Sequence, residues 1–560
     1  MTTFPERLKA LHSTPERIAV TLQFSNADDL PITMDQLIRG ASSYAIALTK
    51  AGIQPGEVVV LILQHGEALL YAFWGAILHG AIPSIMPFLT EKLSPERYRA
   101  DLSALISVTQ PAAIITYPEF EAEVRSALKE GDSVRDVVVT DKVEARSEID
   151  FDSLSGFQRK PDDIVLLQHS SGTTGLQKGV ALSHQAVFNQ LNAYGKTLSL
   201  NESDVIVSWL PLYHDMGLIA GFLMPILSGV HLVLMSPFDW VRAPYKLMQS
   251  VSKYRGTLSW LPNFAYNFCA QKIRDRHLEG VDLSSWRGII NCSEPVRWES
   301  HHAFYEKFKS FGLKPESLQA SYAMAENVFG VTQSQLGSTP TVLELDREAF
   351  MVERVAKSPT NGHPSMKMMS SGRPLANVEV KVLDESGNEV AERVIGELAL
   401  RSDCMLTGYY HRDDLTQKVF RDGWYLTGDY GFVANGEVFV SGRKKDMIIV
   451  GGKNVYPQDL ESLTYEVSGV HAGRSVAFGM FDEEQGTEDV VIIAEVDSTD
   501  PAEQQKVADA IRLHVTKNSA IALRYVKVVD PKWILKTSSG KTARAANKEK
   551  FLTKLQNGQN

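Results

Sequence analysis

Between Glu57 and Met86 the hydrophobic pattern switches period twice. The apolar run Glu57–Gln64 gives way to the helical Glu67–His79 and then to apolar Ala81–Met86. Short apolar runs separated by amphipathic stretches predict a parallel sheet with helices on its faces. The same pattern returns at Ile164–His169, Val205–Leu210, His231–Met235 and Gly288–Asn291. Beyond Gly372 the texture changes. Val378–Leu383, Gly396–Arg401, Gly423–Leu426, Gly431–Val433 and Val438–Ser441 read as short strands, split by turn signals such as Glu-Ser-Gly-Asn and Ala-Asn-Gly-Glu. That predicts a mostly β subdomain over about 372–441. After Gly442 a fresh α/β pattern starts, with strands near Ser475–Gly479 and Asp489–Val496 and a helix near Glu503–Lys517. A boundary is therefore expected close to Lys445, dividing 1–441 from 442–560. The final Gln556–Asn560 reads as a frayed tail.

A chain of 560 residues is too long for one hydrophobic core, which agrees with two domains. The formal net charge of −10 argues against a nucleic-acid or anionic-membrane partner, though a local basic pocket for phosphates remains compatible with it. Cys269, Cys292 and Cys404 are scattered, with no CxxC, so a disulfide framework or structural zinc site is not expected and a cytoplasmic, reducing setting is. The start shows no basic region followed by an apolar one, hence no secretion signal. The most apolar stretch, about 68–89, contains Pro83 and Pro87 and reads as a buried helix leading into a strand rather than a membrane span.

The chemistry concentrates in His169-Ser-Ser-Gly-Thr-Thr-Gly-Leu-Gln-Lys-Gly-Val180, after the strand ending near Gln168 and before a helix near Gln185. Gly172, Gly175 and Gly179 let the backbone approach an oxyanion, Ser170, Ser171, Thr173 and Thr174 offer hydroxyls, and Lys178 adds a cation. This composition suits a phosphate cradle. It is not a Walker loop, whose glycine–lysine spacing it lacks. A bare Gly/Ser/Thr surface loop is the bland alternative.

That string resembles the signature loop of the adenylate-forming, acyl-activating superfamily, and further landmarks follow in the order that family has. They are Tyr322-Ala-Met-Ala-Glu326, Tyr425-Leu-Thr-Gly-Asp429, Gly442-Arg-Lys-Lys-Asp446 and Thr537-Ser-Ser-Gly-Lys541. The resemblance spans roughly residues 30–544. It implies a large N-terminal domain of layered α/β sheets plus a β subdomain, with a small mobile C-terminal α/β domain, and ATP bound between them. It assigns Tyr322 to the adenine face, with Ser321, Ala323 and Met324 beside it, and Ser293, Glu294 and Pro295 to the adenine edge. Asp429 and Arg443 would hold the ribose, Glu326 and Thr173 a magnesium ion, and Lys445 would be the hinge. Lys541 would be the catalytic cation. An ionised carboxylate attacking a phosphate needs no general base, only positive charge where negative charge gathers.

Other strings resemble the fatty acyl-AMP ligase branch: Trp209-Leu-Pro-Leu-Tyr-His-Asp-Met-Gly-Leu218, Pro262-Asn-Phe-Ala-Tyr266 and Glu294-Pro-Val-Arg297. The stretch around Val342–Ala349, within about 331–369, resembles an insertion that sets this branch apart from CoA ligases. The branch implies a medium- or long-chain fatty acid, a pocket near His214, Met216, Gly217, Asn263 and Phe264, and an acyl carrier protein as acceptor. The alternatives are an acyl-CoA synthetase using free CoA and a non-catalytic adenylate-binding protein. Three departures stand out: Cys292 and Ala323 where the branch has glycine, and Leu535 in place of proline before Thr537. The last suggests a looser approach for Lys541.

Overall fold

The computed structural model describes residues 2–88, 95–170, 178–360, 362–450, 453–471, 473–482, 487–519, 521, 523–537 and 540–556. Within them a nine-stranded and a seven-stranded sheet build the large domain. Strand Val58–Ile62 is buried at every position. Its alternate residues explain this: Val59 and Leu61 enter one apolar cluster, Val60 and Ile62 another, so both faces are covered. It pairs in parallel with Ile82–Ile85 and Ala113–Thr116.

Helices Met34–Lys50 and Glu67–His79 cross at close range because each offers a glycine. A Cβ on Gly40 would lie 2.6 Å from the Tyr71 ring, and one on Gly75 would lie 2.5 Å from Tyr44 Cβ. The first helix opens on a capping box: Gln36 N–H donates to Thr33 Oγ1 (3.2 Å) and Thr33 N–H to Gln36 Oε1 (2.9 Å). The second ends at Gly80, with φ +88°.

Two expectations are refined. The signature segment does not run from strand to loop to helix. Ile164–Ser170 is answered by an antiparallel strand, Lys178–Ser183, in a register that pairs Ser170 with Lys178. Only then does helix His184–Thr197 begin, with Ala186 N–H donating to Ser183 Oγ. In the β subdomain, the two strands expected at Gly423–Leu426 and Gly431–Val433 are one, Trp424–Ala434. Register irregularities against both neighbours absorb the glycines without ending the strand. Strand Glu437–Arg443 continues two residues past 441 and pairs Arg443 with Asp429.

The small domain packs strands Ser475–Asp482, Thr487–Glu495 and Leu523–Val529 against helices Pro457–Tyr465 and Pro501–Ser519. The insertion-like segment folds as a hairpin, Val342–Asp346 with Ser365–Met369, around a helical turn at Ala349–Glu353. Its Leu345, Phe350 and Met351 share one apolar cluster with Phe432 of the β subdomain and with Tyr456 and Leu460 of the small domain. Phe350 touches both the Phe432 and Tyr456 rings, each at 6.3 Å. The segment thus sits where three parts of the molecule meet. No helix among the described residues is long and apolar enough to cross a membrane.

Candidate active site

Strand Leu318–Ala323 delivers Tyr322 to the junction of the two domains, where its hydroxyl donates to Asp429 Oδ2 at 2.6 Å. Burial raises the Asp429 carboxyl, and Arg443, with Nε 3.7 Å from Oδ1, pulls against that rise. Arg443 itself is held above its ordinary value, because Asp429 and Asp446 outweigh its own desolvation. An aromatic face, a carboxylate and a guanidinium are thereby gathered, although Tyr322 lies more than a hundred residues from the other two in sequence. Ser321 supports them from beneath, its hydroxyl donating to Thr332 O at 2.7 Å. Ala323 and Met324 lie half-buried where the strand ends.

Glu326 follows on a short helical turn. Its Oε1 accepts from the Tyr409 hydroxyl at 2.9 Å, and that hydroxyl also lies 3.0 Å from the Tyr425 hydroxyl. Burial raises the Glu326 carboxyl and Asp215 adds to the rise, while the Tyr409 hydroxyl and Arg443 oppose it. Just beyond, Val328 adopts φ +61°, ψ −56°, and Phe329 N–H donates to Asn327 O across it. This is a γ-turn of the strained sign in a β-branched residue, of order 1–3 kcal/mol. It persists because Val328 is fully buried and Asn327 Nδ2 donates to Gly330 O. Tyr409 also carries Lys178 Nζ 4.7 Å over its ring, which ties the signature segment to Glu326. Neither Tyr409 nor Val328 stands out in the sequence. The aromatic pair Tyr409-Tyr410 after Gly408 is the only signal.

From the opposite side comes Lys541. Its turn is closed by Thr537 N–H donating to Lys541 O (2.7 Å) and Gly540 N–H to Thr537 O (2.9 Å). Gly540 takes φ +86° and faces the Phe264 ring of the large domain. Lys541 Nζ lies 3.4 Å from His214 Nε2, and His214 Nδ1 lies 2.6 Å from Asp215 Oδ1. Burial alone would raise the Asp215 carboxyl, but His214, Lys541 and the Met216 N–H hold it at about 2. Burial lowers the Lys541 ammonium, with Asp215 and Glu294 resisting. A cavity of about 20 Å³ opens here, lined by Trp209, His214, Met216, Gly217, Pro262 and Lys541 among others. Gly217 is required sterically: a Cβ would lie 2.2 Å from Pro211 O.

The remaining assigned residues form the wall. Phe264 N–H donates to Glu294 Oε2 at 2.9 Å. Asn263 Oδ1 accepts from Asn291 Nδ2 and from Arg297 N–H, so its amide braces the loop rather than facing the cavity. Ser293 holds φ +69°, Pro295 is exposed, and the Cys292 thiol, 3.1 Å from Met216 Sδ, is fully buried. Burial pushes that thiol up, so it is a packing group and not a nucleophile. Ser171, Gly172, Thr173, Thr174 and Gly175 lie outside the described residues, as does the Ser170 side chain. Lys445 sits on the turn directly after strand Glu437–Arg443, with burial and Arg443 lowering its ammonium. Leu535 does not loosen the turn that holds Lys541. Its N–H donates to Asn547 Oδ1 (2.8 Å) and its carbonyl accepts from Asn547 Nδ2 (2.9 Å), a double anchor that proline could not make.

Comparison with known proteins adds to this geometry. The model of the AMP-binding enzyme family matches residues 9–410. The chain is 30% identical to the medium-chain-fatty-acid–acyl-carrier-protein ligase JamA of Moorena producens, over 93% of this chain and 90% of that one. It is 29% identical to the long-chain-fatty-acid–AMP ligase FadD26 of Mycobacterium marinum, over 93% and 91%. Among solved structures, one from studies of fatty acyl-adenylate ligases of E. coli and L. pneumophila matches at a TM-score of 0.89 and 26% identity, over 100% of this chain and 98% of that one.

Proposed function

We propose, for a chain that belongs to the AMP-binding enzyme family, that it joins a fatty carboxylic acid to AMP and passes the acyl group to the phosphopantetheine thiol of an acyl carrier protein. The chain is a ligase of the acyl-AMP-forming kind. The observation that carries the reading is the placement of Lys541 Nζ beside His214, across the junction from Tyr322, Asp429 and Arg443.

In the first step a carboxylate oxygen of the acid attacks the α-phosphorus of ATP, and the bond to the β-phosphate oxygen breaks, releasing pyrophosphate. Lys541 supplies positive charge to that transition state, and Arg443 and Asp429 hold the nucleoside end. Glu326 would hold a magnesium ion through its carboxylate, a hard oxygen ligand of the kind that ion takes. When bound, magnesium neutralises charge on the transferring phosphate. In the second step the thiol sulfur attacks the acyl carbonyl, the bond from that carbon to the phosphate oxygen breaks, and AMP departs with the thiol proton lost to solvent. Rotation at Lys445 is the proposed means of exchanging Lys541 for the thiol-admitting face of the small domain. Three buried free thiols suit a cytoplasmic setting.

ATP–pyrophosphate exchange across a panel of fatty acids tests the first step. Exchange with no acid would refute the reading. Adding a phosphopantetheinylated carrier or free CoA tests the second. Thioester on CoA and none on the carrier would move the chain to the acyl-CoA synthetases.

Two further outcomes are expected. The lowered Lys541 ammonium loses its proton at lower pH than an ordinary lysine near 10.4. The kcat/KM for exchange therefore falls as pH rises through that lowered value, and Lys541→Arg shifts the alkaline limb upward. An identical limb in the arginine variant would assign it to another group. The second concerns acceptor choice. If the insertion-like hairpin restrains the small domain, Phe350→Ala, which weakens that packing by about 3–5 kcal/mol, raises CoA thioester formation by about tenfold or more. Unchanged CoA use would remove the hairpin from the account of acceptor choice.

A further inference from the structure

Behind the cavity at His214 and Lys541 stands an aromatic wall. Trp209 borders the cavity and is stacked on Trp240, with centroids 3.5 Å apart and planes within 6°. Phe264 meets both indoles edge-on at 6.3 Å, and Phe268 lies 5.3 Å from Trp240. Trp240 is fully buried and Trp209 is 4% exposed. A cavity of about 20 Å³ holds roughly one water, so any acyl chain entering here must press on the groups that line it. An acid whose carboxylate lies at Lys541 therefore meets the indole pair within a few bonds.

The two tryptophans are not equally fixed. Trp209 directly follows strand Val205–Ser208 within the nine-stranded sheet, and the buried segment Met216–Leu223 packs beside it. Trp240 sits on the short helix Pro237–Arg242, whose outer residues Phe238 and Val241 are 37% and 52% exposed. This short, partly exposed helix stands at that end, with Phe88 against Phe238 at 5.5 Å between ring centroids.

We propose that Trp240 sets the length of the acid: by backing Trp209 it ends the pocket early, so the enzyme takes short to medium acids and rejects long ones. This rests on the acyl-adenylate reading above and narrows its substrate class. Each methylene a pocket cannot admit costs about 10–200-fold in kcat/KM. Removing the Trp240 indole leaves a void into which Trp209 can turn, lengthening the pocket.

The test is ATP–pyrophosphate exchange with butyrate, hexanoate, octanoate, dodecanoate and hexadecanoate, run on the wild type, Trp240→Ala and the milder Trp240→Phe. The wild type is expected to prefer the octanoate end or shorter, by at least about 10-fold over hexadecanoate. In Trp240→Ala the hexadecanoate-to-hexanoate ratio of kcat/KM rises by about 10-fold or more, and in Trp240→Phe it moves in the same direction. Should the alanine variant fail to fold, the wild-type profile and the phenylalanine variant decide. A wild type that uses hexadecanoate as well as hexanoate, or variants whose ratio does not move, overturns the inference alone. Exchange with no acid in any of the three proteins overturns the ligase reading, and the inference with it.

Discussion

Lys541→Ala is expected to lower ATP–pyrophosphate exchange by about 10²–10³-fold, the loss that follows removal of one preorganised donor at a developing charge. Three features of the site support so large an effect. The ammonium reaches its place only because the turn from Thr537 to Lys541 is closed by its own backbone bonds and Gly540 rests against Phe264. It is desolvated there, so its charge acts in a medium of low dielectric. His214, its near neighbour, is itself tied to Asp215, Nδ1 to Oδ1 at 2.6 Å, and so is not free to take the place of the ammonium. Stability should move the other way or not at all, since burial disfavours this ammonium in the folded protein. The measurement is exchange kcat together with thermal melting of the same preparation. A variant that exchanges within about threefold of wild type would remove Lys541 from the chemistry, and one that melts much earlier would mark it as structural.

Gly372→Ala is expected to be the most damaging single methyl at any of the described glycines. At φ +90° a Cβ there would lie 2.0 Å from the carbonyl carbon of Gln333 and 2.1 Å from the nitrogen of Ser334. Both are backbone atoms in or beside a strand of the nine-stranded sheet, so neither can rotate away. The same residue accepts from Val438 N–H and donates to Ser370 Oγ, joining that sheet to the β subdomain that carries Asp429 and Arg443. Left-handed backbone alone costs an alanine about 1–2 kcal/mol, and the collision should bring the loss to about 4–5 kcal/mol. Soluble yield and the first thermal transition report it. Gly337→Ala is the control: φ is +81° but nothing lies within 4 Å. If both variants melt alike, the close approach at Gly372 is not what constrains it.

Much of this is legible in the sequence. The helix Glu67–His79 stands where its periodicity put it, because Gly80 stops it. The change of texture at Gly372 falls on a turn that only glycine can make, with φ +90° against the backbone of Gln333 and Ser334. Cys269, Cys292 and Cys404 are all free and buried, and their burial is a tertiary fact that their spacing does not carry. Less legible were elements whose cause lies elsewhere in the chain. Strand Lys178–Ser183 is too short to announce itself and exists because Ile164–Ser170 offers it a partner. Strand Trp424–Ala434 carries Gly428 and Gly431, which read as breaks, yet its neighbours on both sides bridge them.

The same division runs through the candidate site. Local order along the chain determined which residue types are available: a tyrosine and a glutamate at 322 and 326, an aspartate at 429, an arginine at 443, a lysine at 541. Those choices are chemical and survive in one dimension, because a phosphate or a ribose demands particular groups. Tertiary structure alone decided that Tyr409 would hold Glu326, that Asp215 would orient His214 toward Lys541, and that Asn547 would secure Leu535. It alone stacked Trp209 on Trp240 behind the cavity. Apart from Asp215 on its neighbour His214, these contacts join residues from 12 to 327 apart in sequence. Hydrophobic periodicity reports which face of an element is buried, but not which distant side chain it is buried against.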